Sequence, residues 1–411
     1  MSFPHFIAKR LSVSSSKHKK LPIVDIATGG IILGTCIMLL SIFIVLGYRQ
    51  AIYTKILGFN RHIDIVNFDN NSSYQTTPVK ATDVKSITKN IKAIMKQEPY
   101  AIIGGVASTD EETEAIVLKG VNENYDWTFM REHIVEGVTP NFISEKKSNE
   151  ILISQTLANR LKLSVGDKLY THYLQQPPRS RAFKIAGVYN TGVADFDKLF
   201  ILGDIKHVQK LNKWDENQYS GVSLTLKDFD QQQEITNKLQ QKATIALSKN
   251  ESHLKAVSAK RRFAHIFDWL DIMNMNVKIV LFLIVIVSAF NMISALLVII
   301  LEKTRHIGVL KALGTDNNML RKIFLYKAAY IIGKGLFWGN IIGISLAVLQ
   351  QKFGFIRLNP ETYYLTSVPI KIDLFAWLFL NIGVLVVTTC IMIFPTILIT
   401  RIAPAKVIRF E

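Results

Sequence analysis

Four long apolar runs limit what this chain can fold into. Residues 26–46, 279–301 and 374–400 carry no charge, and 328–349 carries only Lys334. Each run is long enough to cross a bilayer as a helix, which takes roughly 20 residues. More than two hundred residues of mixed sequence separate the first run from the second, while the last three lie close together. The spacing predicts an α+β membrane protein: four transmembrane helices with a large α+β domain inserted between helices 1 and 2. The expected segments are an N-terminal segment 1–25, a first span 26–47, an inserted domain 48–276 and a second span 277–301. A loop 302–322, a third span 323–350, a loop 351–373, a fourth span 374–400 and a tail 401–411 follow.

The net charge is +17. Its placement argues against nucleic acid. Residues 47–278 hold 31 Lys and Arg against 26 Asp and Glu, a balance of only +5. The rest sits in tails and short loops beside the spans, where basic residues mark the cytoplasmic side. Fourteen are in the N-terminal segment, in the stretch Lys303–Lys327 between the second and third apolar runs, and in the C-terminal tail, against three in the third–fourth loop. That bias predicts cytoplasmic termini, a cytoplasmic second–third loop and an external inserted domain. The first run is longer than a signal-peptide core, and Gly47-Tyr48-Arg49-Gln50 follows it with no small-residue cleavage site. It reads as an uncleaved anchor. The two cysteines, Cys36 and Cys390, both lie in apolar runs, so no disulfide framework is expected in the domain.

Periodicity gives the domain's outline. Strands are expected at 62–68, 100–107, 114–121, 150–154, 168–173, 182–189, 200–202 and 221–226, and helices at 84–95, 155–163 and 230–247. A Pro-rich connection, 174–181, joins two of the strands and contains Pro177, Pro178 and Arg179. The domain should form two lobes, with an amphipathic stalk helix at 260–278 entering the second span.

Catalytic signals are weak. The nine histidines are scattered, none in a zinc-binding pattern. Ser252-His253-Leu254-Lys255 matches S-x-x-K without the companion motifs of the penicillin-binding enzymes. The glycines at 308 and 314 are spaced six apart rather than five, and Thr315, not lysine, follows the second. The chain is expected to be non-catalytic and to bind no metal or cofactor, with any ATP and Mg held by another subunit.

The second–third loop carries more information. In Glu302-Lys303-Thr304-Arg305-His306-Ile307-Gly308-Val309-Leu310-Lys311-Ala312-Leu313-Gly314-Thr315-Asp316, a short helix gathers Ile307, Leu310, Leu313 and Gly314 on one side. Gly314 suits the position after the helix, and Asp316 can cap the next one. The segment is either a basic turn beside the membrane or a helix that docks on a cytoplasmic ATPase.

Residues 302–324 resemble the coupling region of FtsX/MacB-type ABC permeases. Ile402-Ala403-Pro404-Ala405-Lys406-Val407-Ile408-Arg409-Phe410-Glu411 is similar to that family's closing motif. Phe6-Ile7-Ala8-Lys9-Arg10-Leu11, Gly47-Tyr48, Ile56-Leu57-Gly58-Phe59-Asn60, Gly166-Asp167, 183–187 and 195–200 resemble the lipoprotein-releasing LolC/LolE-type members. The resemblance covers nearly the whole chain. It implies an inner-membrane permease of a Gram-negative bacterium, paired with a second permease copy or homologue and a LolD-like ATPase. The work would be extraction of lipoproteins among membrane lipids by mechanotransmission, and hand-over to a periplasmic LolA-like carrier.

The expected ATPase contacts are then Ile307, Gly308, Leu310, Lys311 and Leu313. The expected acyl-chain entrance is Ile42, Val45, Leu46, Tyr48, Met273, Met275 and Phe282, which plain lipid contact or helix packing would explain equally well. Carrier docking falls to Pro177, Pro178 and Arg179. Two features depart from the family: His306 stands where an acidic residue is usual, and the hairpin is shorter than the LolC-like carrier hook. An FtsX-like regulator of a cell-wall hydrolase and a MacB-like exporter are the alternatives.

Overall fold

The computed structural model describes residues 22–71, 74–142, 146–249 and 252–397. The motif at 6–11, the closing segment 402–411 and the end of the expected fourth span lie outside the described residues. The main helices, in chain order, are α1 (Pro22–Asn60), α2 (Ala81–Thr88), α3 (Gln155–Leu161), α4 (Ile205–Asn212) and α5 (Gln232–Ser248). They continue with α6 (Ala264–Glu302), α7 (Thr304–Ala312), α8 (Asn317–Phe353) and α9 (Leu374–Thr396). The strands are β1 (Ile63–Asn67), β2 (Val79–Lys80), β3 (Ile94–Ser108), β4 (Thr113–Val121), β5 (Ile134–Gly137) and β6 (Glu150–Ser154). After these come β7 (Lys168–Tyr173), β8 (Arg179–Tyr189), β9 (Phe200–Asp204), β10 (Gln218–Tyr219), β11 (Gly221–Leu226) and β12 (Leu254–Ser258). Helices α1, α6, α8 and α9 are long and apolar enough to cross a membrane, and an α+β domain lies between the first two.

The chain divides into two compact units. In the first, glycines decide how the spans pack. An added Cβ would stand 2.6 Å from Ile31 at Gly335, 2.7 Å from Thr35 at Gly339 and 3.2 Å from Leu39 at Gly343. Four-residue spacing on both helices puts α8's bare backbone against one stripe of α1. Small residues allow this close approach where lipid removes the hydrophobic drive for association. On α1, Gly34 meets Ser288 and Ile284 of α6 in the same way. Helices α8 and α9 are tied by polar groups: Trp377 Nε1 donates to Asn340 Oδ1 at 2.6 Å, and Asn340 Nδ2 donates to Asn381 Oδ1 at 2.6 Å.

The second unit, residues 51–268 with 358–366, is built on one large sheet. Its order is β12-β1-β11-β3-β4-β9-β6-β8-β5, with β7 pairing both β3 and β8. Alternate residues of a strand face opposite sides. One side is covered by helices in two clusters. Val84, Ile87, Ile235 and Leu239 from α2 and α5 pack on Ile63, Ile65, Val222 and Leu224. Leu157 and Leu161 of α3 and Val208 and Leu211 of α4 pack on Leu118, Ile151, Ile185 and Ile201. Side-chain caps start the second pair: Ser154 accepts from Leu157 N, and Asp204 accepts from Lys206 N. On the other side, Phe59 stacks on Phe196 (4.5 Å, 11°) within a cluster that includes Val121, Leu152 and Leu202.

Two local expectations are corrected. The helix expected at 84–95 stops at Thr88, Asn90 takes φ +69°, and Ile94 instead opens β3, where it pairs with Leu226. Strand pairing outweighs the helical spacing of Ile91, Ile94 and Met95. The stalk at 260–278 is interrupted at Phe263, which separates a short turn, Ala259–Arg262, from α6. The stretch containing the S-x-x-K match forms edge strand β12, where Lys255 Nζ donates to the carbonyls of Phe68 and Asn70.

Gly339→Leu should cost the first unit about 1–3 kcal/mol through overpacking, read as a lower melting temperature in detergent; an unchanged one would refute the close-contact reading. His207 is 1% exposed, and its Nε2 pairs with the Ser148 carbonyl at 2.8 Å. Burial, with Lys147 nearby, lowers it to about 4. The unfolded chain binds this proton more readily, so stability should fall as pH drops from about 6.5 toward 4. Urea unfolding of His207→Gln across that window should show a flatter dependence.

Candidate functional site

The short helix α7 is set by its ends. At its C-terminus, Thr315 N donates to Leu310 O and Gly314 N to Lys311 O, both at 3.0 Å, with Gly314 at φ +85°. This paired closure needs a residue in the left-handed region, which glycine supplies. Asp316 then caps α8 by accepting from Asn318 N. Both roles were expected of these residues.

The faces of α7 differ from expectation. Ile307 is 1% exposed and packs among Ile299, Ile300, Leu320, Ile323 and Phe324, and Gly308 is buried beside it. These two cannot offer a free contact surface in this structure; they hold α7 to the spans. Leu310 is half-buried against the same cluster, and Lys311 is half-buried. Leu313 follows the last helical residue, so the turn at Gly314 swings it out to 77% exposure. Val309, absent from the expected set, is also exposed, as are Arg305, His306 and Ala312. The outward surface is therefore Val309 and Leu313 set among cations. Of the stripe read by helical spacing, Ile307 and Leu310 lie on the packed side, while Leu313 and Gly314, past the helix end, are exposed; Val309 could have been found as a residue off that stripe.

The residues expected at an acyl-chain entrance fall into two groups within the first unit. Val45 and Tyr48 are buried, Tyr48 edge-on to Trp269 at 6.1 Å, while Ile42 and Leu46 are half-buried. Met273 is half-buried, whereas Met275 and Phe282 are exposed. The exposed pair belongs to a stripe on α6 that also includes Ile272, Ile279, Leu283, Val287 and Phe290. The three- and four-residue spacing gives α6 a continuous apolar face, which uniform hydrophobicity hides in the sequence.

At the β7–β8 hairpin, Pro177 and Pro178 are exposed and the Gln176–Pro177 peptide is cis. Arg179 plays another part. Its Nη1 donates to the carbonyls of Lys210 (2.9 Å) and Leu211 (3.3 Å), the otherwise unsatisfied C-terminal end of α4. The hairpin tip shows Leu174 at 81% exposure in its place. Arg179→Ala should lower domain stability by about 0.5–1.5 kcal/mol and speed proteolysis at the tip, checked by denaturant unfolding and limited digestion. Unaltered values would mean the contact holds nothing.

Comparison with known proteins bears on these surfaces. The model for the MacB-like periplasmic core domain matches residues 26–242, and that for the FtsX-like permease C-terminal matches 278–404. The lipoprotein-releasing system transmembrane protein LolC of Neisseria meningitidis is 23% identical, over 95% of this chain and 94% of its own. That of Xylella fastidiosa is 21% identical over 93% and 92%. LolE of Haemophilus influenzae is 19% identical over 99% of both chains.

Proposed function

Because this chain belongs to the FtsX-like permeases that carry a MacB-like periplasmic core domain, we propose that it is the membrane subunit of a lipoprotein-releasing ABC transporter. The observation that carries this reading is the end-to-end similarity to LolC and LolE proteins, which extends over both units. The termini and α7 face the cytoplasm, as the fourteen-to-three charge bias supports. A separate LolD-like ATPase docks on Val309 and Leu313, with Arg305 and His306 beside them. Its ATP-driven closure moves α7. Ile307 and Gly308, packed against the ends of α6 and α8, transmit that motion into the spans.

Energy input is needed for a physical reason. Each acyl CH₂ withdrawn from the bilayer costs about 0.8 kcal/mol, so extracting a multiply acylated lipoprotein costs tens of kcal/mol without an apolar shelter. The exposed face of α6, with Met275 and Phe282, supplies that shelter together with a second permease subunit. Methionine adapts to irregular apolar shapes, which suits varied chains. The cargo then leaves for a periplasmic carrier that docks at the hairpin tip, on Leu174, Pro177 and Pro178.

Affinity purification from a Gram-negative host, in mild detergent with mass spectrometry, tests the reading. Lipoproteins and a small ATPase should co-purify. A cell-wall hydrolase in their place would favour the FtsX-like regulator and reject release. In the double variant Val309→Asp and Leu313→Asp, ATPase association should drop by about tenfold or more while the melting temperature stays unchanged. Full association would reject the docking surface.

A further inference from the structure

The side of the large sheet away from α2–α5 holds an unusual concentration of charge. Along β1, β11, β3 and β4, the residues facing this side include Asp64, Ser223, Glu98, Tyr100 and Lys119, each under 10% exposed. Above Asp64, Ser223, Tyr100 and Lys119 opens a cavity of about 730 Å³, also lined by Tyr74, Phe200, Arg261 and Arg262. It lies wholly within the second unit. Burying ionised groups is costly unless each is paired.

Most of the charges around the cavity are paired within the chain. Glu98 is bound to Arg61, whose Nη2 lies 3.2 Å from Oε1. Asp64 accepts from Arg262 and, at 2.6 Å, from the Ser223 hydroxyl. Asp195 pairs with His265 at 3.2 Å, and Lys255 is taken by two backbone carbonyls. Two cations remain. Lys119 Nζ has a single hydrogen-bond acceptor, the Phe59 carbonyl at 2.6 Å, and lies 4.3 Å from the Phe59 ring centre. Its other two N–H bonds have no acceptor among the described residues. Arg261, at the exposed rim, has no side-chain partner among them.

We propose that this cavity binds a small organic dianion, a phosphate monoester, with its oxygens on Lys119 and Arg261 and its organic body against Tyr74 and Phe200. Two unpaired cations match a dianion better than a single carboxylate or a phosphodiester. An ammonium and a guanidinium are both established donors to phosphate oxygens. The aromatic and aliphatic wall gives the ester's carbon skeleton a place that inorganic phosphate would leave empty. The site is independent of the lipoprotein reading, and none of its lining residues belongs to α7 or to the hairpin tip.

The protonation of Lys119 supplies a distinctive readout. Burial lowers its value to about 7, with Asp64 and Glu98 opposing the shift and Arg61 and Arg262 adding to it. Tyr100, the remaining titratable group on this face, is itself raised to about 12 by burial and stays neutral. A bound dianion favours the charged ammonium, so binding above about pH 7 takes up a proton and weakens as pH rises.

The test is calorimetric titration of the full chain in mild detergent with glycerol 3-phosphate, in buffers of differing ionisation enthalpy. Saturable binding is expected, with uptake approaching one proton at about pH 8. Lys119→Met should abolish the uptake and weaken binding about tenfold or more. It exchanges a buried charge for an apolar chain of similar length, which such sites tolerate. Arg261→Gln, on the exposed rim, should weaken binding and keep the uptake. No saturable binding at millimolar ester, or equal binding by both variants, would overturn the site. Inorganic phosphate binding as tightly as the ester would overturn its organic-ester specificity.

Discussion

Hydrocarbon cannot hydrogen-bond a backbone, so each spanning segment has to satisfy its own N–H and C=O groups. That constraint makes the spans helices, and the rest of the first unit depends on it. Once every span is helical, association rests on shape and a few polar ties. Gly335, Gly339 and Gly343 provide the shape against α1, and the Asn340–Trp377–Asn381 group provides the ties between α8 and α9. The same logic explains the length of two helices. Helices α1 and α6 each have 39 residues, about 58 Å of helix against a hydrocarbon layer of about 30 Å. Both run on well past the apolar core that requires them.

In the inserted domain the dominant asymmetry lies between the two sides of one sheet. Helices α2, α3, α4 and α5 cover one side with apolar clusters, as an α+β layer should. The other side is covered by aromatic packing around Phe59 and Phe196 only toward β4, β9 and β6. Over β12, β1, β11 and β3 it carries charge and opens into a cavity. A purely structural sheet gains nothing from buried Lys119 or Asp64, since apolar residues of like volume would serve stability as well or better. The polar side is thus the domain's most specific chemical surface, and the helical side is its foundation.

Much of this could be read from the residues in order. The four spans follow from uncharged length, and the closure of α7 by Gly314 and the start of α8 at Asp316 follow from local chemistry. The β6–α3 unit was legible too, because Ser154 both ends the strand and caps the helix. What local pattern missed has a common cause. Ile94 has helical spacing but is claimed by β11 across the sheet. Arg179 looked like an exposed charge until α4's open carbonyls were brought beside it. Ile307 and Leu313 look alike in a short apolar pattern; packing against α6 and α8 buries one, and a single turn exposes the other.

By itself the sequence determined that the chain crosses a membrane and carries a large insert, and it pointed to the segment at 302–316. Those features depend on transfer free energy and backbone conformation, which act over a few neighbouring residues. Tertiary structure alone decided which face of α7 is free, that α6 bears a continuous apolar stripe, and that Lys119 and Arg261 share a cavity although 142 positions separate them in the chain. Burial and the pairing of charge depend on groups brought together across the fold, and no periodicity in the sequence records which groups those are.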